Sequence, residues 1–165
     1  MNEDSRLPDP PEQQDFDGTA TSAIYTTTVT VTGGATEHGR ASGKARSADE
    51  DLDLDLRMPT ELGGDGQGTN PEQLFAAGLA ASLHAALSLV ARQAALATAG
   101  IAVAATVALG PDPRDGGYLL HVDLVVEWPG IPRETAAPML KKAEALCPYA
   151  RMARRGTPMT IALAP

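Results

Sequence analysis

One long apolar segment constrains this chain more than any other feature. From Leu74 to Ala91 nearly every residue is apolar or small. Asn70 and Pro71 stand just before it, and these residue types are favoured at the N-cap and at the first position of a helix. The pattern predicts a helix from residue 70 to about Thr98 that is apolar on almost every face. We expect such a helix to lie in the middle of the fold, covered on all sides.

The same segment is long enough to be compared with a transmembrane span. It carries His84 and is dominated by alanine and glycine, which favours a buried helix over one in a bilayer. Aromatic residues make up only 4% of the chain, so the core around this helix has to be built mainly from alanine, leucine and valine.

Short segments of β-type sequence lie on both sides of the predicted helix. Their β-branched residues and the glycine- or proline-containing turns between them are typical of strands. The order of these elements predicts an α+β fold, with antiparallel strands wrapped around a long central helix. The predicted strands are Ile24–Thr32, Gly39–Ala45, Asp51–Leu56, Ile101–Leu109, Tyr118–Trp128 and an edge strand Met159–Leu163, with a second helix at Arg133–Leu146.

Two motifs with a possible binding role have simpler interpretations. Aspartate and leucine alternate strictly from Asp51 to Leu56. This period of two places the aspartates on one strand face, and a solvated face is favoured over a metal site. The glycine-rich segment Gly63–Gly68 lacks the Gly-Lys-Ser/Thr ending of a phosphate-binding loop. The three histidines, His38, His84 and His121, show no metal-ligand spacing, so no metal is predicted.

The length and charge of the chain limit its organisation and partners. We expect residues 1–18, which hold six acids, to be a disordered acidic tail, and residues 19–165 to form a single domain. The net charge of −8 argues against nucleic acid or an anionic membrane as a partner. The short basic group Arg151, Arg154 and Arg155 is interpreted as a solvated turn. The single cysteine, Cys147, and an N-terminus without a secretory signal favour a cytoplasmic protein.

Three segments together resemble one protein family. Asn70–Ser82 is similar to the central-helix motif of the organic hydroperoxide resistance proteins, the Ohr branch of the OsmC/Ohr thiol peroxidases. In that family the last position of the motif is the peroxide-attacking cysteine, and here it is Ser82. The segment from Gly33 to Ala41 resembles the one that carries the family's active-site arginine. The Cys147-Pro148-Tyr149 segment resembles the one with the resolving cysteine, and the likeness extends from about Ile24 to Leu163.

The resemblance implies a role for each matching residue. Arg40 corresponds to the active-site arginine, Glu72 to the glutamate that pairs with it, Ser82 to the attacking cysteine and Cys147 to the resolving one. The family reduces organic and fatty-acid hydroperoxides to alcohols without a bound cofactor. In the family, a dithiol or a lipoylated protein reduces the oxidised enzyme again, and the proteins form intertwined homodimers. All of these are expectations for the present chain.

One geometric point follows from the spacing of Glu72 and Ser82. They are ten residues apart, about 15 Å along a straight helix. They cannot meet on one unbroken helix of one chain. Either the helix is interrupted, with Gly78 as the weakest point, or the site is built across a subunit boundary. The second reading agrees with a homodimer, which an all-round apolar helix also favours.

The serine at position 82 has three explanations that stay open. The natural protein could carry cysteine there, with this chain an engineered variant; or the serine is native, and the protein is a pseudo-enzyme that binds hydroperoxide or acyl-chain ligands; or Cys147 is the sole nucleophile. Leu79 and Leu83 stand where the family commonly has aromatic residues, which favours natural divergence. A Ser82–His84 dyad is not expected, because side chains two apart on a helix do not face each other. The sequence therefore predicts a peroxidase scaffold with little or no turnover, and leaves enzymatic activity uncertain.

Overall fold

The fold combines three α-helices with five antiparallel strands in the part of the chain that the structure describes. This structure is a computed structural model, and it describes residues 23–33 and 42–164. The predicted acidic tail, Arg40 and the predicted start of the second strand lie outside these residues. The elements are β1 (Val29–Thr32), β2 (Gly43–Ser47), β3 (Asp53–Leu56), α1 (Pro71–Gln93), β4 (Ala102–Pro111), β5 (Tyr118–Glu127), α2 (Arg133–Leu146) and α3 (Pro148–Arg155). The predicted α+β class is confirmed.

The strands form two separate sheets. β1, β2 and β3 make a three-stranded antiparallel sheet, and β4 and β5 form a long hairpin. In β3 the alternation works as predicted, because Leu56 is buried while Asp53 points outward between Lys44 and Arg46. The Lys44 and Arg46 side chains, both hydrogen-bonded to this carboxylate, lower the pKa of Asp53. The aspartates of this strand therefore belong to a solvated, ion-paired face.

α1 begins where the sequence predicts but ends earlier. Its start is a capping box, in which Asn70 Oδ1 accepts from the Gln73 N–H at 2.8 Å and Gln73 Oε1 accepts from the Asn70 N–H at 3.3 Å. After Gln93 the chain turns back, with Leu96 N–H donating to Ala91 O at 2.9 Å. Ala95 takes a left-handed conformation with φ 54°, a position where glycine is usual.

That turn is a Schellman motif, the commonest way to end a helix. A second bond of the motif joins Ala95 N–H to Arg92 O at 3.0 Å. The prediction that the helix continues to Thr98 was wrong, because an alanine at the left-handed position carries none of the signal that a glycine there would give.

The main core lies around the C-terminal half of α1. Leu83, Leu87, Val90 and Ala91 pack there with buried residues of α2 and of the segments that flank β4, β5 and α2, and with partly buried residues of β4 and β5. Trp128 closes one side, and its indole N–H donates to Ala97 O at 2.8 Å. Among the described residues, α1 is the one helix long and apolar enough to cross a membrane by length and composition. Its buried face is part of this core.

Not every expectation for the helix and its surroundings is met in the single chain. α1 is open on part of its surface, and Leu89 is 43% exposed. Residues 156–164 form no strand, so the edge strand predicted at Met159–Leu163 is not found. A strand is stable only when it pairs with a neighbouring strand, and this segment pairs with none of the described strands. The basic group at Arg151, Arg154 and Arg155 lies on α3 rather than in a turn.

Candidate active site

Ser82 lies near the middle of α1. The helix passes through this position without a break, from Pro71 to Gln93. Ser82 is half-buried, between Leu79 on the preceding turn and Leu83, which are both buried. The hydroxyl is therefore held on a rigid element at the edge of the core, which is a suitable place for a functional side chain.

Cys147 joins α2 to α3. Its N–H donates to Ala143 O at 2.8 Å and so closes α2, while its thiol accepts from Ala150 N–H at 3.5 Å and caps α3. Pro148 follows at the first position of α3, where a missing N–H costs nothing. The residue is only 1% exposed. The local sequence thus fixes the sulfur at the start of a helix and away from solvent.

The fold brings these two residues into contact. Ser82 Oγ lies 3.2 Å from Cys147 Sγ, although 65 positions separate them in the sequence, and either atom could donate the hydrogen bond. A hydroxyl facing a thiol cannot form a disulfide. Two sulfurs at the same positions would need to approach only to about 2.05 Å to form one.

Gly78 allows α3 to approach α1 beside this pair. A Cβ built on Gly78 would lie 3.0 Å from Cε1 of Tyr149, so the ring covers the space that a larger residue would need. Gly78 is one helical turn before Ser82, on the same face. Of the two alternatives that the sequence left open, an interruption of the helix at Gly78 is not found, and Gly78 serves instead as a contact point for Tyr149. No sequence pattern indicated this contact.

Glu72 is not part of the Ser82–Cys147 pair. It lies in the first turn of α1, half-buried, about 15 Å from Ser82 along an unbroken helix. There it lines a groove of about 480 Å³ together with Leu62 and Leu109 among others. Arg40 is outside the described residues. Of the four predicted site residues, the structure therefore brings Ser82 and Cys147 together and places Glu72 at a distance.

An apolar cavity of about 400 Å³ is lined by neighbours of the pair, although Ser82 and Cys147 are not themselves part of its lining. It lies between α1, β5, α2 and α3, and Leu79 and Leu83 form part of its α1 wall. Ala150, whose N–H contacts Cys147 Sγ, forms part of the α3 wall. The charged members of its lining are Glu144 and Arg154, which form an ion pair. This cavity has the size and the largely apolar lining of a small-molecule site.

Other polar groups give little indication of chemistry. In the described ranges, 23–33 and 42–164, there is no group of three or more His, Cys, Asp or Glu side chains that could hold a metal ion. His84 is exposed on α1, and His121 contacts Asp123 at 3.3 Å on the outer face of the β4–β5 hairpin. The sequence missed α3, although Pro148 directly after a potential capping side chain is a recognisable helix start.

Comparison with known proteins identifies the family. Residues 64–162 match the family model described as OsmC-like protein. This chain belongs to the OsmC/Ohr family. It is 39% identical over 143 residues to the organic hydroperoxide resistance protein of Xanthomonas axonopodis pv. citri, covering 86% of this chain and 95% of that relative.

Solved structures show the same fold. An organic hydroperoxide resistance protein from Legionella pneumophila aligns with a TM-score of 0.72 at 38% identity, over 82% of this chain and 93% of that one. A similar protein from Vibrio cholerae, described with captopril bound in one of its active sites, aligns with a TM-score of 0.71 at 37% identity, over 81% of this chain and 88% of the other. The α+β arrangement described above is thus that of the family.

Proposed function

We propose that this chain has the scaffold of a thiol-dependent organic hydroperoxide reductase but, with Ser82 at the attacking position, little or no turnover. Its similarity to organic hydroperoxide resistance proteins over most of its length supports the substrate class. The observation that carries the proposal is the 3.2 Å contact between Ser82 Oγ and Cys147 Sγ. In the proposed site a hydroxyl stands where one of two partner sulfurs is needed.

The chemistry that the scaffold would perform requires sulfur at position 82. A thiolate there would attack the peroxide, forming an S–O bond and breaking the O–O bond, so that the alcohol leaves and a sulfenic acid remains. Cys147 would then attack that sulfur, releasing water and forming a disulfide. A dithiol or lipoylated protein would reduce the disulfide by exchange. A serine hydroxyl is not ionised at neutral pH, and in the described part of the chain its hydrogen-bond partner is the Cys147 thiol rather than a histidine base.

The burial of Cys147 argues against this residue as the sole nucleophile. Reactive cysteines are at least partly exposed, whereas this one is 1% exposed and already engaged with Ser82 and Ala150. A resolving role is compatible with burial, because the sulfur that it attacks would lie beside it. Position 82 is therefore the one at which activity is expected to be restored.

The direct test replaces Ser82 with cysteine. Consumption of a fatty-acid hydroperoxide with dihydrolipoamide should be fast for Ser82→Cys and at background for the parent chain. Ser82→Ala is the control for changes in packing and should stay at background, while Ser82→Cys with Cys147→Ser should lose recycling after the first turnover. An inert Ser82→Cys protein, or rapid turnover by the parent, would contradict the proposal.

We also propose that the complete site is formed in a homodimer, with Arg40 and Glu72 of one subunit serving position 82 of the other. The unbroken α1 and the 15 Å separation of Glu72 from Ser82 support this arrangement. So do exposed apolar residues such as Val31, Ile161 and Leu163, which one chain leaves uncovered.

Subunit complementation tests this arrangement. A chain with Ser82→Cys and Glu72→Gln should have low activity alone. Co-expressed with the parent chain, which keeps Glu72 but lacks the sulfur, it should regain activity if Glu72 acts on the other subunit. Unchanged activity in the purified mixed dimer would show that Glu72 does not act across the boundary. A monomeric mass by light scattering would remove the dimer itself.

A second candidate function is ligand binding without turnover. The cavity beside the Ser82–Cys147 pair favours it, and a relative is described with captopril in one of its active sites. Calorimetry with acyl hydroperoxides or carboxylates should then show saturable binding by the parent chain, weakened by Arg40→Ala. Flat titrations would remove this candidate.

A further inference from the structure

The cavity beside Ser82 and Cys147 has a chemically distinct end. Most of its lining is aliphatic, from α1, β5 and α2, with Leu79, Leu124 and Leu140 as representative members. Glu144 of α2 and Arg154 of α3 are the charged side chains of the wall. A ligand that fits this surface has an apolar body and one polar group near the ion pair.

The ion pair is open enough to accept a ligand. The side chain of Arg154 is 73% exposed and that of Glu144 is 36% exposed, and their contact joins Arg154 Nη2 to Glu144 Oε1. An exposed pair of this kind contributes little to stability, so rearranging it costs little. A guanidinium carries five N–H donors, and one contact to a carboxylate oxygen leaves room for a second carboxylate on its fork.

The charge on the wall then determines the ligand class. Among the described residues that line the cavity, Arg154 is the one that can attract an anionic group, while Glu144 competes with that group for the same guanidinium. We propose that Arg154 is a carboxylate-binding residue of this cavity, and that it gives the cavity a preference for aliphatic carboxylates over neutral aliphatic ligands. The volume of about 400 Å³ lies at the small end of ligand sites, which favours a medium over a long chain.

This inference deepens the proposed function, because it names the ligand of the same site and rests on the binding role proposed there. The chain of the acid would lie against Leu79 and Leu83, which border Ser82 on α1. Arg154 would hold the carboxylate at the α3 end. A neutral alkyl hydroperoxide would use the apolar wall alone and lack the anchor.

The test compares two ligands that differ only in the polar group. Decanoate and decanol are titrated calorimetrically into the full parent chain and into Arg154→Gln, a substitution at an exposed side chain that should leave the fold intact. Decanoate should bind saturably and lose about tenfold or more in affinity in Arg154→Gln, while decanol should be unaffected. Glu144→Gln should bind decanoate more tightly, because the competing carboxylate is gone.

A cavity-filling variant locates the ligand. Ala153 lies on the cavity wall and is exposed, so Ala153→Trp should weaken both ligands without disturbing the core. No decanoate binding, equal losses for the two ligands in Arg154→Gln, or decanoate affinity unchanged in that variant would each overturn the inference.

Neither ligand contains a peroxide bond, so the outcome is independent of turnover. An inert Ser82→Cys protein with Arg154-dependent decanoate binding would remove the proposed reductase chemistry and leave this inference standing. An active Ser82→Cys protein whose decanoate affinity is unchanged by Arg154→Gln would support the reductase chemistry and overturn this inference.

Discussion

The two halves of α1 have different surroundings although they belong to one uninterrupted helix. In residues 83–93 the side chains of Leu83, Leu87, Val90 and Ala91 are all less than 5% exposed and belong to the main core. In residues 71–82 only Leu79 is buried to that extent. Both halves are apolar in sequence, so composition does not account for the difference.

The difference comes from which elements of the same chain are available to each half. α2 and the end of the β4–β5 hairpin cover the C-terminal half. The N-terminal half, which carries Glu72, borders the groove near Leu62 and Leu109. An apolar helix can therefore be covered by its own chain at one end and left partly open at the other.

The largest expected effect on stability comes from creating a cavity beside the C-terminal half of α1, which the core covers. Leu87 is fully buried, so Leu87→Ala should lower the free energy of unfolding by about 3 kcal/mol through lost burial and an unfilled cavity. Leu89→Ala is the matched control, since Leu89 is 43% exposed and should cost much less in one chain. Urea denaturation of both variants checks this. Equal losses would mean that a second chain covers Leu89 as fully as the core covers Leu87.

The surroundings of the N-terminal half of α1 can be tested by introducing a charged side chain. Ala76 lines the groove and its neighbour Ala77 is exposed. If a second copy occupies the groove, Ala76→Arg should weaken the dimer by about 2 kcal/mol, roughly thirtyfold in dissociation constant, because the charge would be buried without a partner. Ala77→Arg should leave the dimer unchanged. Light scattering over a dilution series measures both, and a dimer indifferent to Ala76→Arg would show that the groove is not the interface.

A smaller effect is expected at Gly78, within the N-terminal half of α1. Alanine at position 78 should gain up to about 1 kcal/mol in helix propensity over glycine, but its Cβ would press on the Tyr149 ring at 3.0 Å. Gly78→Ala should therefore be close to neutral in the parent and stabilising by about 1 kcal/mol when Tyr149→Ala is also present. A double-mutant cycle in urea gives the coupling. Additive effects would mean that the ring does not restrict position 78.

The smallest expected effect on stability is at Ala95, in the turn that ends the C-terminal half of α1. Ala95 has φ 54°, a conformation that glycine adopts without a Cβ penalty. Ala95→Gly should raise the free energy of unfolding by about 0.5 to 1 kcal/mol. Ala94→Gly is the control, because φ is −91° there and glycine should destabilise. Thermal or urea unfolding distinguishes the two, and a destabilised Ala95→Gly would contradict the helix ending described above.

Sequence alone predicted elements whose signals are local. α2 was predicted from Arg133 to Leu146 and observed with those bounds, and Asn70 with Pro71 marked the start of α1. The end of α1 was missed because Ala95 takes the left-handed conformation that glycine usually takes at a helix end. The Met159–Leu163 strand was predicted from composition, but a strand exists only where another edge pairs with it.

The candidate site was predictable in its residues and not in its geometry. The resemblance to the family singled out Ser82 and Cys147, and the structure places them 3.2 Å apart. The Tyr149 ring on Gly78 and the Glu144–Arg154 pair arise from the packing of α3 on α1 and α2, which no spacing in the sequence indicates. The roles of Arg40 and Glu72 remain predictions.

Cys147 illustrates how a residue can have structural tasks that do not depend on any reaction. Its backbone ends one helix, its sulfur begins the next, and its side chain fills a solvent-free position in the core. Replacing it would disturb three structural tasks at once, whereas replacing the residue at position 82 disturbs one contact. A lineage that gave up peroxide chemistry would therefore lose the attacking sulfur readily and keep the other under selection for folding. The architecture of the fold is thus by itself a sufficient reason for a cysteine at this position.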